Sequence, residues 1–319
     1  MMKRLGAILA VAVLGFGVVG AGAYAQEISD WWFLRSYQPP PDIADLADKT
    51  SMTQEGREYF YVSDPKINDK QTFNRNCPTR EAASVLGCYR NQRIYLLRVE
   101  RRKLDGVMEV TAAHEMLHAA YDRLEADTRS RVAGMLEEEL ETIEDSRVQE
   151  LINNYEEDGG ETVRRNELHS ILPTQIADLS PELEKYYARY FNDRQVVVDK
   201  YQQYKSTFAD LRQQINRLQD RVDSLQNRID SLKGRIDAQR SKVDRLNARL
   251  EQLQSQGDRE AYNELVPEQN AAVNRYNSMV DRYKSLISRH NNTVEKLNEI
   301  VVLQRDLVNS LDSTYQELE

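Results

Sequence analysis

The sequence predicts an α+β, mostly helical protein: a mixed N-terminal domain followed by a long antiparallel coiled-coil helical hairpin. Three observations carry that expectation. An apolar heptad seam runs through the last third of the chain, helical periodicity fills residues 106–200, and strand-like segments are confined to residues 45–105.

The N-terminal segment comes first. Lys3 and Arg4 precede an uncharged apolar run from Leu5 to Tyr24, long enough to cross a bilayer as a helix. The run ends in Ala23-Tyr24-Ala25, a small-x-small pattern suited to signal cleavage. Residues 1–25 therefore read as a signal peptide or an N-terminal membrane anchor. Five glycines weaken the anchor, whereas Trp31 and Trp32 would suit a membrane interface. Basic residues before the run, with Glu27 and Asp30 after it, make both readings extracytoplasmic, at the cell envelope or secreted. Residues 26–44, with Pro39, Pro40 and Pro41, read as an extended linker.

Residues 45–200 are expected to form the first domain. REYFYVSDP is a short aromatic run closed by proline, and NQRIYLLRVE (91–100) is rich in strand formers. Between them lie the only two cysteines, Cys77 and Cys88, eleven positions apart beside turn-forming residues. That count excludes a disulfide framework and a zinc ribbon. In an oxidising compartment a local disulfide is expected, with two free buried thiols as the alternative. From Gly106 the pattern turns helical, through VTAAHEMLHAAYDRL and VAGMLEEELETIEDSRVQELINNY. Gly159-Gly160 interrupts, ETVRRNELHSIL runs helically to Pro173, and Ser180-Pro181 supplies a cap with proline at the first helical position.

Residues 201–319 form the hairpin. Leu211, Ile215, Leu218, Val222, Leu225, Ile229, Leu232, Ile236, Gln239, Val243, Leu246, Leu250 and Leu253 alternate steps of four and three, with Gln239 alone polar. Gly257 and Pro267 mark a reversal. The spacing resumes through Val273, Tyr276, Val280, Tyr283, Ile287, His290, Val294, Leu297, Val301, Gln304, Val308, Leu311, Tyr315 and Leu318. At 1.5 Å per residue each arm runs roughly 65 Å. A parallel intermolecular coil is the alternative, so self-association or a protein partner could use this surface. His290 reads as a polar residue of the seam.

The net charge of −9 leaves no basic face for a nucleic-acid partner. The chemistry concentrates instead in HEMLH, which holds two of only four histidines. His114 and His118 are four apart, so on a helix their rings project from one face and can share a zinc ion. Glu115 is placed to act as general base toward a metal-activated water. The small and apolar flank, Ala112, Ala113, Leu117, Ala119 and Ala120, places this helix inside a domain. Asp122, one turn past His118, is a candidate acceptor for a ligand histidine or an ordinary surface charge.

HEMLH resembles the zincin metallopeptidases, strongly over this helix and loosely over the rest of residues 45–200. The metzincin branch does not fit, because Tyr121 and Leu124 stand where its glycine and third histidine belong. The gluzincin branch takes its third ligand from a glutamate on a later helix, and RRNELHSIL offers Glu167. The pattern departs from that branch at Ile171. The same segment offers His169 as the alternative ligand. The two are about 200° apart on a helix, so one ion takes only one of them. With Glu167 as ligand, the resemblance implies that His169 could donate to the transition-state oxyanion. RIYLLRV resembles the edge strand along which such enzymes bind an extended peptide, or is a core strand.

The resemblance implies a zinc-dependent metallopeptidase with Zn²⁺ on His114, His118 and Glu167, acting on a peptide or protein substrate, with the hairpin as spacer, dock or gate. The alternative is a coiled-coil structural or adaptor protein carrying a degenerate, non-catalytic zincin domain. The intact Glu115 favours the enzyme.

Overall fold

The computed structural model describes residues 29–78 and 86–314. They divide into two compact units, one from the described parts of Met1–Thr207 and Leu307–Glu319, the other from Phe208–Asp306.

In the first unit a helical segment over residues 29–36 precedes α1 (Pro41–Lys49), α2 (Gln54–Val62), β1 (Lys66–Asn68) and α3 (Lys70–Asn76). The strands β2 (Gly87–Arg90) and β3 (Arg93–Leu97) follow, then α4 (Val107–Asp122), α5 (Ala126–Thr142), α6 (Ser146–Gln175) and α7 (Pro181–Tyr187). The sheet has the order β1-β3-β2, with β1 parallel and β2 antiparallel to β3. RIYLLRV is therefore the central strand, and the edge beside α4 is β2. Period-two alternation gives the sheet two apolar faces. Ile94 and Leu96 join the main core with α4, while Tyr95, Leu97, Leu86 and Cys88 pack with Phe73 and Cys77. Cys77 and Cys88 are disulfide-bonded, as expected.

α4 is the hub of this unit and packs against α1, α2, β2, β3 and α6. It is buried almost all round, and its alanines at 112, 113, 119 and 120 let those neighbours approach closely. Gly106 caps its start at a φ of +95°, a left-handed conformation suited to glycine, with Lys200 against it.

α6 is two helices joined at Gly160, whose φ of +74° and ψ of −178° belong to glycine alone. The helix passes through Pro173 and continues to Gln175. Proline cannot donate to the carbonyl four residues back. The Tyr187 hydroxyl supplies that hydrogen bond to the His169 carbonyl, at 3.0 Å. At the helix end the buried Arg194 guanidinium donates to the carbonyls of Pro173, Ile176 and Ala177 at 2.9, 2.7 and 2.7 Å, and pairs with Glu184. It thereby satisfies main-chain acceptors that a helix C-terminus leaves open.

In the second unit the long helices α8 (Gln195–Gln256) and α9 (Arg259–Leu311) pack on one another. The break is at Gly257, with a φ of +74°, and Pro267 lies inside α9 rather than in the reversal. Gln239 donates to the Ala272 carbonyl at 2.9 Å, and Lys242 pairs with Glu268 at 2.9 Å, which sets the arms antiparallel. Every expected seam position of α8 from Leu211 to Leu253 is buried or half-buried. On α9 one column is displaced by a residue. Ala272, Leu286, Thr293 and Leu307 are buried, whereas the expected Val301 and Val308 are 43% and 47% exposed. His290 is half-buried on the seam, and Tyr315 and Leu318 lie outside the described residues.

Among the described residues no helix is long and apolar enough to cross a membrane. That corrects the expected membrane anchoring. The segment it relied on, residues 1–25, lies outside the described residues, and no described helix takes its place.

Candidate metal centre

Residues 107–122 form one uninterrupted helix, so the four-residue spacing places the His114 and His118 rings on one face. Their Nε2 atoms are 3.0 Å apart. After the Gly160 kink, the second half of α6 brings Glu167 to the same point. Its Oε2 lies 3.5 Å from His114 Nε2 and its Oε1 3.6 Å from His118 Nε2. These three residues form a group able to hold a metal ion.

The donor set fits zinc. Two imidazole nitrogens and a carboxylate are its common ligands, and tetrahedral bonds of about 2.0–2.2 Å put neighbouring ligand atoms roughly 3.3–3.6 Å apart. The two carboxylate oxygens of Glu167 lie 3.5 and 3.6 Å from the two rings, one oxygen beside each, and one ligand atom from each of the three residues lies within 4.8 Å of the others. Two facing ring nitrogens also need a proton or a cation between them. Glu167 Oε2 is buried without a hydrogen-bond partner, as expected of a group awaiting a ligand. Burial acts to raise the Glu167 carboxyl, but the attraction of His118 and of His114 holds it below the usual range. It is a ready anion.

His118 is oriented from behind. Its Nδ1 lies 3.0 Å from Asn166 Oδ1 and 3.2 Å from Ser170 Oγ. Donation from Nδ1 to these partners leaves the Nε2 lone pair facing His114 and Glu167. Asp122, the expected acceptor, instead accepts from the Tyr89 hydroxyl at 3.0 Å. Asn166 and Ser170 were missed in the sequence, although they stand one before and three after Glu167 on the same helix. That spacing was the available signal.

Glu115 is 4% exposed and its carboxylate lies against the edge strand at Gly87. Burial pushes its carboxyl up to about 7, with attraction to His118 opposing, repulsion from Glu167 adding, and the nearby Tyr89 main-chain N–H opposing slightly. A Cβ at Gly87 would stand 2.6 Å from Glu115 Oε1, so only glycine leaves the carboxylate room. The Glu115 Oε2 is buried without a hydrogen-bond partner.

His169 is not brought to this group. It is fully buried, with Nε2 2.8 Å from the Tyr186 hydroxyl, which in turn lies 3.1 Å from that of Tyr190. Tyr121 and Tyr187 pack on its ring, and burial drives its pKa down to about 3. The oxyanion role expected of it needs an exposed donor, and this ring is sealed into a tyrosine cluster.

A groove of about 800 Å³ lies past the C-terminal end of α4 between Trp31, Leu34, Tyr59, Val62 and Arg123, and none of the three ligand candidates lines it. No protein-family model, characterised protein or solved structure matches this chain. The class supported here is a helical protein with a buried His-His-Glu group of metal-ligand geometry, and that class rests on the geometry alone.

Proposed function

We propose that this protein is a zinc-dependent peptidase with His114, His118 and Glu167 as the metal ligands and Glu115 as the general base. The observation that carries the reading is the convergence of two ring nitrogens and one carboxylate from α4 and α6, with one Glu167 oxygen 3.5 Å from His114 Nε2 and the other 3.6 Å from His118 Nε2. Zinc held there supplies Lewis acidity, making water nucleophilic near neutral pH and polarising a peptide carbonyl.

The chain's own residues do the rest. Asn166 and Ser170 hold His118 in the tautomer that offers Nε2. The Glu115 carboxyl, near 7, is matched to taking a proton and returning it to the leaving amine. Among the described residues β2 pairs only with β3, so one row of its main-chain groups is unused by that ladder, and an extended peptide could add there. His169 is left outside the chemistry in this reading.

The test is zinc stoichiometry of the full chain, with hydrolysis of a generic unfolded protein by wild type, Glu115→Gln and Glu167→Ala. One bound zinc, hydrolysis lost in Glu115→Gln with zinc kept, and zinc lost in Glu167→Ala is the expected result. Full zinc occupancy without Gln-sensitive hydrolysis returns the scaffold alternative, in which the paired helices α8 and α9 carry the function.

A further inference from the structure

We propose that the Cys77–Cys88 disulfide is a positioning element for Glu115, stapling the edge strand β2 from the face opposite the site. Only the activity arm of its test rests on the peptidase reading above.

β2 is four residues long and has one ladder neighbour. Alternation turns Gly87 and Tyr89 toward α4, and Cys88, between them, toward α3. Glu115 meets β2 at both of the α4-facing residues. Its Oε1 and Cγ fill the space where a Gly87 Cβ would be, at 2.6 and 2.7 Å, and the Tyr89 main-chain N–H lies near enough to favour the charged carboxylate. The other oxygen, Oε2, has no hydrogen-bond partner. Where the β2 main chain sits therefore decides where the carboxylate sits.

Cys88 ties that main chain to Cys77, the residue that ends α3. α3 is itself held from two sides. Phe73 is fully buried between the disulfide and Leu97. The end of the chain's last helix, within the same unit, also reaches α3. Lys70 Nζ donates to the Asn309 carbonyl and Asn74 Nδ2 to the Ser313 carbonyl, both at 2.7 Å. The path runs from Asn309 and Ser313 through α3 and the disulfide to the two residues that touch Glu115. The metal ligands lie on α4 and α6 and not on this path. The staple thus sets the base and leaves the metal-binding group alone.

The test compares oxidised full-length protein with the same protein reduced by a dithiol. Two thiols of the reagent close to its cyclic disulfide as Cys77 and Cys88 each gain a hydrogen. A Cys77→Ala/Cys88→Ala variant is the second arm. Zinc content, amide exchange and kinetics are read together. Breaking the staple should leave zinc affinity within two-fold and speed exchange at the Tyr89 amide about ten-fold while Ile94 stays protected. It should lower kcat about ten-fold with little change in KM. In a Glu115→Gln background, breaking it should have no further effect on rate. Unchanged exchange at Tyr89 in both arms overturns the proposal. So does loss of zinc and of Ile94 protection together, which would make the disulfide a general fold staple. If the oxidised protein shows no hydrolysis at all, the peptidase reading fails by itself, and the exchange arm still decides this inference.

Discussion

Asn166 Oδ1 lies 3.0 Å from His118 Nδ1, so the histidine that the metal group depends on is held by a neutral amide rather than a carboxylate. The amide fixes the tautomer without adding charge. Asn166→Ala should weaken zinc binding about 10–100-fold, the usual cost of losing such a partner, softened by Ser170 at 3.2 Å. Asn166→Asp should bind zinc at least as tightly as wild type. Competition with a chromophoric chelator measures both.

Gly87→Ala should separate metal binding from catalysis. The added methyl meets Glu115 Oε1 and Thr111 Cγ2, each at 2.6 Å, so the carboxylate has to move. We expect unchanged zinc content, hydrolysis reduced at least about ten-fold, and a stability cost of about 1–3 kcal/mol for overpacking. Wild-type activity in this variant would remove the strand from the account of the site.

His169 gives a pH signature. Its pKa in the folded protein, about 3, lies below the ordinary value of 6.5 because burial disfavours the charged ring. Between those values the unfolded chain binds more protons, so this stability is fully present above pH 6.5 and drains as the pH falls toward 3. The slope reaches about 1.4 kcal/mol per pH unit. Urea unfolding of His169→Gln across that window should show a shallower dependence than wild type.

Arg194→Ala should be among the most damaging single changes. It strips the carbonyls of Pro173, Ile176 and Ala177 of a donor and leaves Glu184 without its partner. A loss of about 3–5 kcal/mol is expected by denaturant titration, with only partial rescue by lysine, which lacks the planar fork.

On the long helices, Leu286→Ala should cost about 2–4 kcal/mol, whereas Val301→Glu should lie within about 0.5 kcal/mol of wild type. The first side chain is buried in the packed seam and the second is exposed. Thermal melts of the two variants test the assignment of the seam.

What could be read from the residues alone divides along physical lines. HEMLH and the α8 seam depend on spacing along a single helix, and spacing is what a sequence records, whereas Glu167, on another helix, was expected only through the resemblance. On α9 the expected positions are half-buried except Val301 and Val308, because two adjacent columns are both largely apolar, Ala272-Met279-Leu286 beside Val273-Val280-Ile287, and only the partner helix decides which is buried more deeply. The central place of β3 and the closeness of Gly87 to Glu115 arise from chain segments meeting in space. No local pattern encodes that. His169 looked functional because histidine is rare and it sits two residues from Glu167, yet half a turn of helix turns it into the tyrosine cluster.

Gly160 has a consequence for how such a site can be found. Because the chain changes direction there, α6 before the kink and α6 after it keep independent registers against α4. Residues can be gained or lost ahead of Gly160 without moving Asn166, Glu167 or Ser170. The interval between His118 and Glu167 is therefore free to drift in length over time. Related chains should be sought with two separate short words, one around HEMLH and one around NELHS, joined by a gap of any size.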